Sequence, residues 1–244
     1  YLITRWKELG KINGKEYIVK TIVTTETIKT IAERNGVEMY DVYTGFKWIA
    51  NVMRENEGKK NYIGGGEESY GFLCEDFVRD KDAVSACVIL AEIAAWAKDQ
   101  GLSLYQLLQK IYVEYGFSKE KGISVVKKGK SGAEEIEAMM KKFRENPLTE
   151  IAGSKVTYFY DYSTLKGKDY AENETVTLDM PTTSNVLQYF TEDNTKVSIR
   201  PSGTEPKIKF YCEVHSKVKS LDELPAAEKA GAEKIEAIKA SLGI

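Results

Sequence analysis

Histidine is nearly absent from this chain: His215 is the only one, and it lies far along the chain from the serine of GGGEESYG (64–71). A Ser-His hydrolase therefore has little support. The three cysteines, Cys74, Cys87 and Cys212, are an odd number with no C-x-x-C pair. They supply neither a disulfide framework nor a zinc site, and the expectation is a reducing, cytoplasmic setting. No apolar run approaches the roughly 18 residues of a membrane span, so no membrane partner is expected. Charge of one sign is also missing. Lys plus Arg is 35 against 37 Asp plus Glu, a formal net charge of -2. Phosphate-backbone binding needs clustered excess positive charge, so no nucleic acid partner is expected either.

What is present is a chain of 244 residues, 30% charged and 42% hydrophobic in the broad sense, enough for one large domain or two ordinary ones. It begins with Tyr1 rather than Met, close to a predicted strand, which suggests a piece of something longer. EYIVKTIVT (16–24) reads as a buried strand. TETIKTIAERNG follows as a short helix with Thr25 as N-cap and Gly36 just past its end. Next come a strand at 39–43, a helix at 46–56, and a short strand, NYI (61–63), leading into the loop GGGEESYG. DAVSACVILAEIAAWAKDQG (82–101) is apolar nearly all round and predicts a buried helix. Ser103 and Gln106 make a capping box for another helix through about Tyr115. This succession is an α/β layered unit.

A second capping box, Ser131 to Glu134, opens a helix that Pro147 ends. Beyond it, KVTYFYDY (155–162), TVTLDM (175–180), KVSIR (196–200) and KIKFYCEV (207–214) read as strands, with a closing helix at 226–243. Strands in series plus a terminal helix predict a small antiparallel α+β domain. The expected division is 1–125 for the α/β domain, 126–150 for a connecting helix and 151–244 for the α+β domain.

Three loops carry candidate chemistry. Around R-P-S-G-T, Ile208, Phe210, Cys212 and Val214 alternate with Lys207, Lys209, Tyr211 and Glu213, one face core and the other wet. Arg200 can chelate two oxygens of a phosphate, and Ser202 and Thr204 can donate O–H bonds, with Gly203 letting backbone N–H groups converge. A plain Pro-Ser-Gly turn is the other reading. GGGEESYG (64–71) fails G-x-G-x-x-G because Ser69 stands at the third glycine, and fails G-x-S-x-G because Glu67 stands at the first. Two carboxylates and a hydroxyl on a glycine-rich loop suit a ligand with vicinal hydroxyls, or are simply solvated. In FVRDKDAV (77–84), Asp80 or Asp82 can cap the next helix. Arg79 and Lys81 near a helix N-terminus make sense if an anion fills the space, and otherwise form a solvated loop.

Taken in order, Thr44-Gly45-Phe46-Lys47, GEESYG (66–71), RDKDA (79–83) and RPSGTEP (200–206) resemble the α-D-phosphohexomutase superfamily, phosphoglucomutase and phosphomannomutase. The resemblance covers the third and fourth of that family's four domains. It implies a mixed α/β sheet domain followed by an antiparallel-sheet domain like the TATA-binding protein. It also implies a parent isomerase that interconverts hexose 1-phosphate and hexose 6-phosphate through a phosphoserine and a bisphosphate. Glu67 and Ser69 would then bind the sugar hydroxyls; contacts to the 3- and 4-hydroxyls would admit both glucose and mannose. Arg200, Ser202, Gly203 and Thr204 would bind the phosphate not being transferred. Lys81, with Lys47 as auxiliary, would stabilise charge at the reacting phosphate. The family's nucleophile loop, T-A-S-H-N-P, and its magnesium loop, D-G-D-x-D-R, lie in the first two domains, and neither string occurs here. The implied partners are therefore a hexose phosphate and the missing N-terminal domains. Magnesium and glucose 1,6-bisphosphate belong to the parent, no metal site is expected in this chain, and the chain alone is expected to be inactive. Some relatives carry His where Tyr70 or its neighbour stands, so no general acid or base is assigned. Two alternatives remain: a stand-alone phosphosugar-binding module without catalysis, and a fragment of a phosphoglucosamine or N-acetylglucosamine phosphate mutase. A purely structural interaction domain would show no phosphate affinity.

Overall fold

The computed structural model describes residues 1–244 except Lys128 and Thr204, together with all their side chains but that of Lys130. The chain forms two compact units, Tyr1–Gly116 and Phe117–Ile244.

The first unit comprises α1 (Leu2–Glu8), β1 (Glu16–Thr21), α2 (Thr27–Arg34), β2 (Glu38–Val42), α3 (Phe46–Asn56), β3 (Asn61–Glu67), β4 (Gly71–Cys74), α4 (Ala83–Asp99) and α5 (Leu104–Tyr115). Its sheet has the order β2-β1-β3-β4. β1 runs parallel to β2 and β3, and β4 closes the edge antiparallel. Both faces of this sheet are covered, so all six residues of the central strand β1 are buried. On one face α3 contributes Phe46, Ile49, Val52 and Met53 to a core with Tyr17, Val19 and Leu73. The other face is a smaller core of Ile3, Ile18, Ala32, Val37 and Ile63. Even the one lysine of β1 is satisfied: buried Lys20 pairs with Asp41 at 2.6 Å and Glu26 at 3.0 Å.

The second unit comprises β5 (Phe117–Val126), α6 (Gly129–Glu145), β6 (Glu150–Ile151), β7 (Ser154–Asp161), β8 (Lys166–Asp169), β9 (Glu174–Thr177), β10 (Leu187–Thr191), β11 (Lys196–Pro201), β12 (Lys207–Ser216) and α7 (Leu224–Leu242). Its antiparallel sheet has the order β5-β12-β11-β10-β7-β8-β9, with β6 on β7. One contiguous core takes Ile136, Met140 and Phe143 from α6 and Ile235, Ile238 and Leu242 from α7. Ile199, Ile208, Phe210 and Cys212 meet them from the sheet. The α/β-then-α+β fold class is therefore as expected.

Several local expectations give way. The units divide after Gly116 rather than at 125 and 150. β5 pairs along its whole length with β12, and the apolar stripe of α6 completes the second core, so neither stands apart. A helix, α1, precedes β1 where the chain was expected to open near a strand. Glu26, not Thr25, sits at the N-cap of α2, although Thr25 Oγ1 accepts a bond from the Thr27 N–H at 3.2 Å. α6 starts at Gly129, which places Ser131 inside the helix instead of at a cap. Glu213, expected on the wet face, is buried because the register sets it opposite Lys196, and the two pair at 3.0 Å. The largest correction concerns α4. Only Ala97 in this helix is buried, because the two cores of the unit are completed by α1, α2 and α3.

Candidate functional site

The GGGEESYG segment is a hairpin rather than a free loop. β3 continues through Gly64, Gly65 and Gly66, and Glu67 pairs with Gly71, leaving only residues 68–70 in the turn. The glycines are demanded by backbone crowding. A Cβ on Gly65 would lie 2.3 Å from the Val19 carbonyl oxygen, and one on Gly66 would lie 2.4 Å from that of Gly71. Side chains cannot enter there, so the hairpin runs flush against β1 and carries its two carboxylates to opposite duties. Glu67 Oε1 accepts the Gly45 N–H at 2.6 Å, tying the hairpin to the N-terminus of α3. Glu68 Oε2 accepts from the hydroxyls of Thr21 at 3.1 Å and Thr24 at 3.3 Å. The Ser69 hydroxyl donates to Glu68 Oε1 at 3.3 Å. Tyr70, at the tip, has φ +66° and a fully exposed ring.

Lys81 approaches this hairpin from the next loop. A Cβ built on Gly71 would meet Glu67 Oε2 at 3.1 Å and Lys81 Cδ at 3.4 Å, so carboxylate and lysine flank one spot. Lys81 Nζ pairs with Asp80 at 3.0 Å and lies 5.7 Å from the centre of the Phe46 ring. Asp82 resolves the capping alternatives: its carboxylate accepts the Val84 N–H at 3.3 Å and the Ser85 N–H at 2.8 Å. The Ser85 hydroxyl, together with these amides, holds the Asp82 carboxyl below the usual range. Arg79 is engaged by Glu57 at 3.0 Å. Lys47 is exposed on the first turn of α3, its ammonium 5.0 Å from the centre of the Trp48 ring. Glu67 and Lys81 are thus brought together, and Gly45 links the start of α3 to them.

In the second unit, the 200–206 segment joins β11 to β12. Arg200 stands directly opposite Lys209, and Pro201 opposite Ile208. Like charges facing each other across an antiparallel pair repel, unless an anion takes the space between them. The Ser202 N–H donates to the Lys207 carbonyl at 2.8 Å, and the Lys127 N–H to the Pro206 carbonyl at 2.9 Å, so both ends of the loop are pinned. Glu205 forms an ion pair with Lys207, whose hydrogen bond holds the Glu205 carboxyl below its usual range. A Cβ on Gly203 would meet open space, so sterics do not require glycine there. Thr204 lies outside the described residues. A groove of about 620 Å³ runs from Ser202 and Lys207 along α6 to Met140, Arg144 and Asn185. Arg144 is already oriented by Asp161 at 2.9 Å and Asn185 at 2.8 Å. Among the described residues, no group of three or more His, Cys, Asp or Glu side chains could hold a metal.

The phosphoglucomutase/phosphomannomutase alpha/beta/alpha domain III family model matches residues 1–115, and the C-terminal domain model of the same family matches residues 124–230. The chain belongs to the phosphoglucomutase/phosphomannomutase family. It carries domain III followed by the C-terminal domain. A phosphoglucomutase of Staphylococcus haemolyticus is 35% identical over 210 residues, which are 86% of this chain and 38% of the relative. One from Staphylococcus aureus is 40% identical over 194 residues, 80% of this chain and 35% of the relative. The chain thus spans under two-fifths of the length of these curated relatives. Among solved structures, pp63/parafusin from Paramecium, a phosphoglucomutase in an open form, superposes with a TM-score of 0.54 at 19% identity, over 90% of this chain and 37% of that one. A phosphoglucomutase/phosphomannomutase family protein from Burkholderia thailandensis gives 0.54 at 18%, over 98% and 40%. At these identities the likeness speaks for the fold alone.

Two features of the domain III hairpin escape sequence reasoning. Glu68 anchors the turn on Thr21 and Thr24, and Gly45 N–H fixes the Glu67 carboxylate. The doubled Glu was visible in the sequence; which of the two faces the framework depends on strand register. No helix is long and apolar enough to cross a membrane among the described residues.

Proposed function

We propose that this chain is the sugar- and phosphate-binding half of a phosphoglucomutase/phosphomannomutase, which interconverts hexose 1-phosphate and hexose 6-phosphate through a phosphoserine and a bisphosphate intermediate. The supporting observation is the pairing of Glu67 and Lys81 around one spot beside Gly71, on a hairpin clamped by backbone and threonine contacts. A carboxylate that already accepts one amide retains lone pairs for sugar hydroxyls. Ser69 at the turn adds a hydroxyl that can both donate and accept. Lys81 holds positive charge next to them and, by leaving Asp80 for a phosphoryl group, stabilises the charge that develops during transfer. Lys47, from the neighbouring helix, adds to that field.

In the second unit, Arg200 with Ser202, Gly203 and Thr204 takes the phosphate that stays on the sugar. The Arg200–Lys209 juxtaposition supports this, since a bound dianion converts a repulsive cross-strand pair into two attractive ones. The parent is an isomerase whose nucleophile and magnesium site lie in the N-terminal domains and whose intermediate and activator is glucose 1,6-bisphosphate. This chain alone binds without turning substrate over.

An NMR titration with glucose 1-phosphate, with inorganic phosphate as control, tests the assignment. Shifts should cluster on residues 64–71 and 200–206 and be larger for the sugar phosphate in the first cluster. Identical responses to both ligands at 64–71 would remove the sugar-reading role. Stronger binding of an N-acetylglucosamine phosphate would move the chain to the amino-sugar branch of the superfamily. A coding sequence that lacks a phosphoserine loop upstream would leave a non-catalytic phosphosugar-binding module.

A further inference from the structure

Glu68, in the hairpin turn, faces the framework of its unit. Its Oε2 accepts from the hydroxyls of Thr21 at 3.1 Å and Thr24 at 3.3 Å, which lie 2.8 Å from each other. Thr21 closes β1, and both threonines are buried. A buried hydroxyl needs a partner, so the two hold the carboxylate against the end of β1. The other oxygen, Oε1, is thereby set beside the exposed Ser69, whose hydroxyl donates to it at 3.3 Å. A carboxylate only accepts, and a serine hydroxyl has a single hydrogen. With that hydrogen committed to Glu68, Ser69 turns lone pairs toward a ligand. Glu67 has the same polarity: its Oε1 takes the Gly45 N–H at 2.6 Å, and its Oε2 lies at the spot beside Gly71.

We propose that Glu68 is a positioning residue that takes the Ser69 hydrogen and so makes Glu67 and Ser69 an acceptor-only reader of hydrogen-donating hydroxyls. The inference rests on the sugar-binding reading of this hairpin and adds the direction of its hydrogen bonds. A ligand must then bring its own hydrogens. The vicinal hydroxyls of a sugar do so. A ring position that carries fluorine or an ether oxygen offers only lone pairs, which meet those of Ser69 and the negative charge of Glu67. Lys81, flanking the same spot, supplies a cationic donor. The two ends of a sugar phosphate are therefore sorted by polarity, hydroxyls toward the acceptors and phosphate toward the ammonium.

The test uses glucose 1-phosphates in which one ring hydroxyl at a time is replaced by hydrogen or by fluorine. Affinities for this chain are read from NMR titrations, with inorganic phosphate as control. Fluorine keeps much of the size and electronegativity of a hydroxyl but cannot donate. At the position where losing the hydroxyl costs most, the deoxy compound should bind at least about tenfold more weakly than glucose 1-phosphate. The fluoro compound should bind more weakly still. A fluoro compound that binds more tightly than its deoxy partner would overturn the proposal, since a donor would then face that position.

Glu68→Ala supplies a second measurement. It frees the Ser69 hydrogen to turn toward the ligand, so the fluoro compound should gain on the deoxy compound by about threefold or more. Affinity for inorganic phosphate should stay the same. An unchanged ratio of the two compounds overturns the proposal as well, because a Glu68 that merely braced the turn would weaken both alike. The comparison within the unsubstituted chain decides the matter even where that variant does not fold. The failures of the two readings are distinct. No response of residues 64–71 to any sugar phosphate sinks the sugar-binding reading and this inference with it; a response that favours the fluoro over the deoxy compound sinks the inference alone.

Discussion

The two units solve the same problem differently. In the second, α6 and α7 both lay their apolar stripes on one face of one sheet, and a single contiguous core results. In the first, a four-stranded sheet is covered on both faces by other helices, and its most apolar helix, α4, stays outside both cores. The contrast teaches that helix hydrophobicity says only that a surface wants covering. What covers it is decided by which sheet face remains unoccupied.

The sharpest way to break this comparison is to truncate one residue in each unit. Phe210→Ala empties the centre of the second core and should cost about 3–5 kcal/mol, read from urea unfolding of that unit. A loss below about 1 kcal/mol would mean that core is not contiguous. Next in size is the pair of ligand contacts. Arg200→Ala should weaken phosphate binding by about 1.5–3 kcal/mol, roughly 10- to 150-fold, for sugar phosphate and inorganic phosphate alike. Glu67→Gln should instead weaken the sugar phosphate selectively; calorimetry with both ligands checks whether the two units divide the work in this way.

Gly65→Ala probes the first unit's backbone crowding. The Val19 carbonyl cannot retreat without breaking the β1–β3 ladder, so a cost of about 1–3 kcal/mol is expected for that unit, with the second unit's transition unmoved. An alkaline titration distinguishes the cores more gently. Burial pushes the Cys212 thiol up to about 12 from its ordinary 9.0. Between those values the unfolded chain loses this proton while the folded one keeps it. The folded state then binds more protons, so its stability falls as pH rises through the window. Buried tyrosines of the first unit act in the same direction, Tyr17 and Tyr43 being pushed to about 12 by burial. Urea midpoints measured from pH 9 upward should fall for both units, and Cys212→Ala should flatten the fall only in the second. The smallest effect is Val88→Lys, which should leave the stability of this chain within about 0.5 kcal/mol, because Val88 is 61% exposed. A loss above 1.5 kcal/mol would place α4 inside a core and erase the contrast.

Much of the fold could be read from periodicity. The β12 alternation of Ile208, Phe210, Cys212 and Val214 does face the core, and the Ser103–Gln106 capping box does start α5. Short strands such as β8 and β10, and the charged β5, carry too little pattern of their own and exist because neighbours offer ladder bonds. The chemistry-bearing residue types were likewise legible: a doubled Glu with Ser on a glycine-rich segment, and Arg with hydroxyls around a Pro-Ser-Gly turn.

Residue order alone therefore determined the two-part architecture, the family signatures and the identities of the candidate ligands, since these depend on local spacing and on which donors and acceptors a segment contains. Only the tertiary structure decided that Glu67 faces Gly45 and Lys81 while Glu68 anchors Thr21 and Thr24. It also decided that Glu213 is buried against Lys196 and that one apolar side of α4 is left exposed. Each of these turns on strand register or on the filling of a sheet face, and both are set by contacts between segments far apart in the chain.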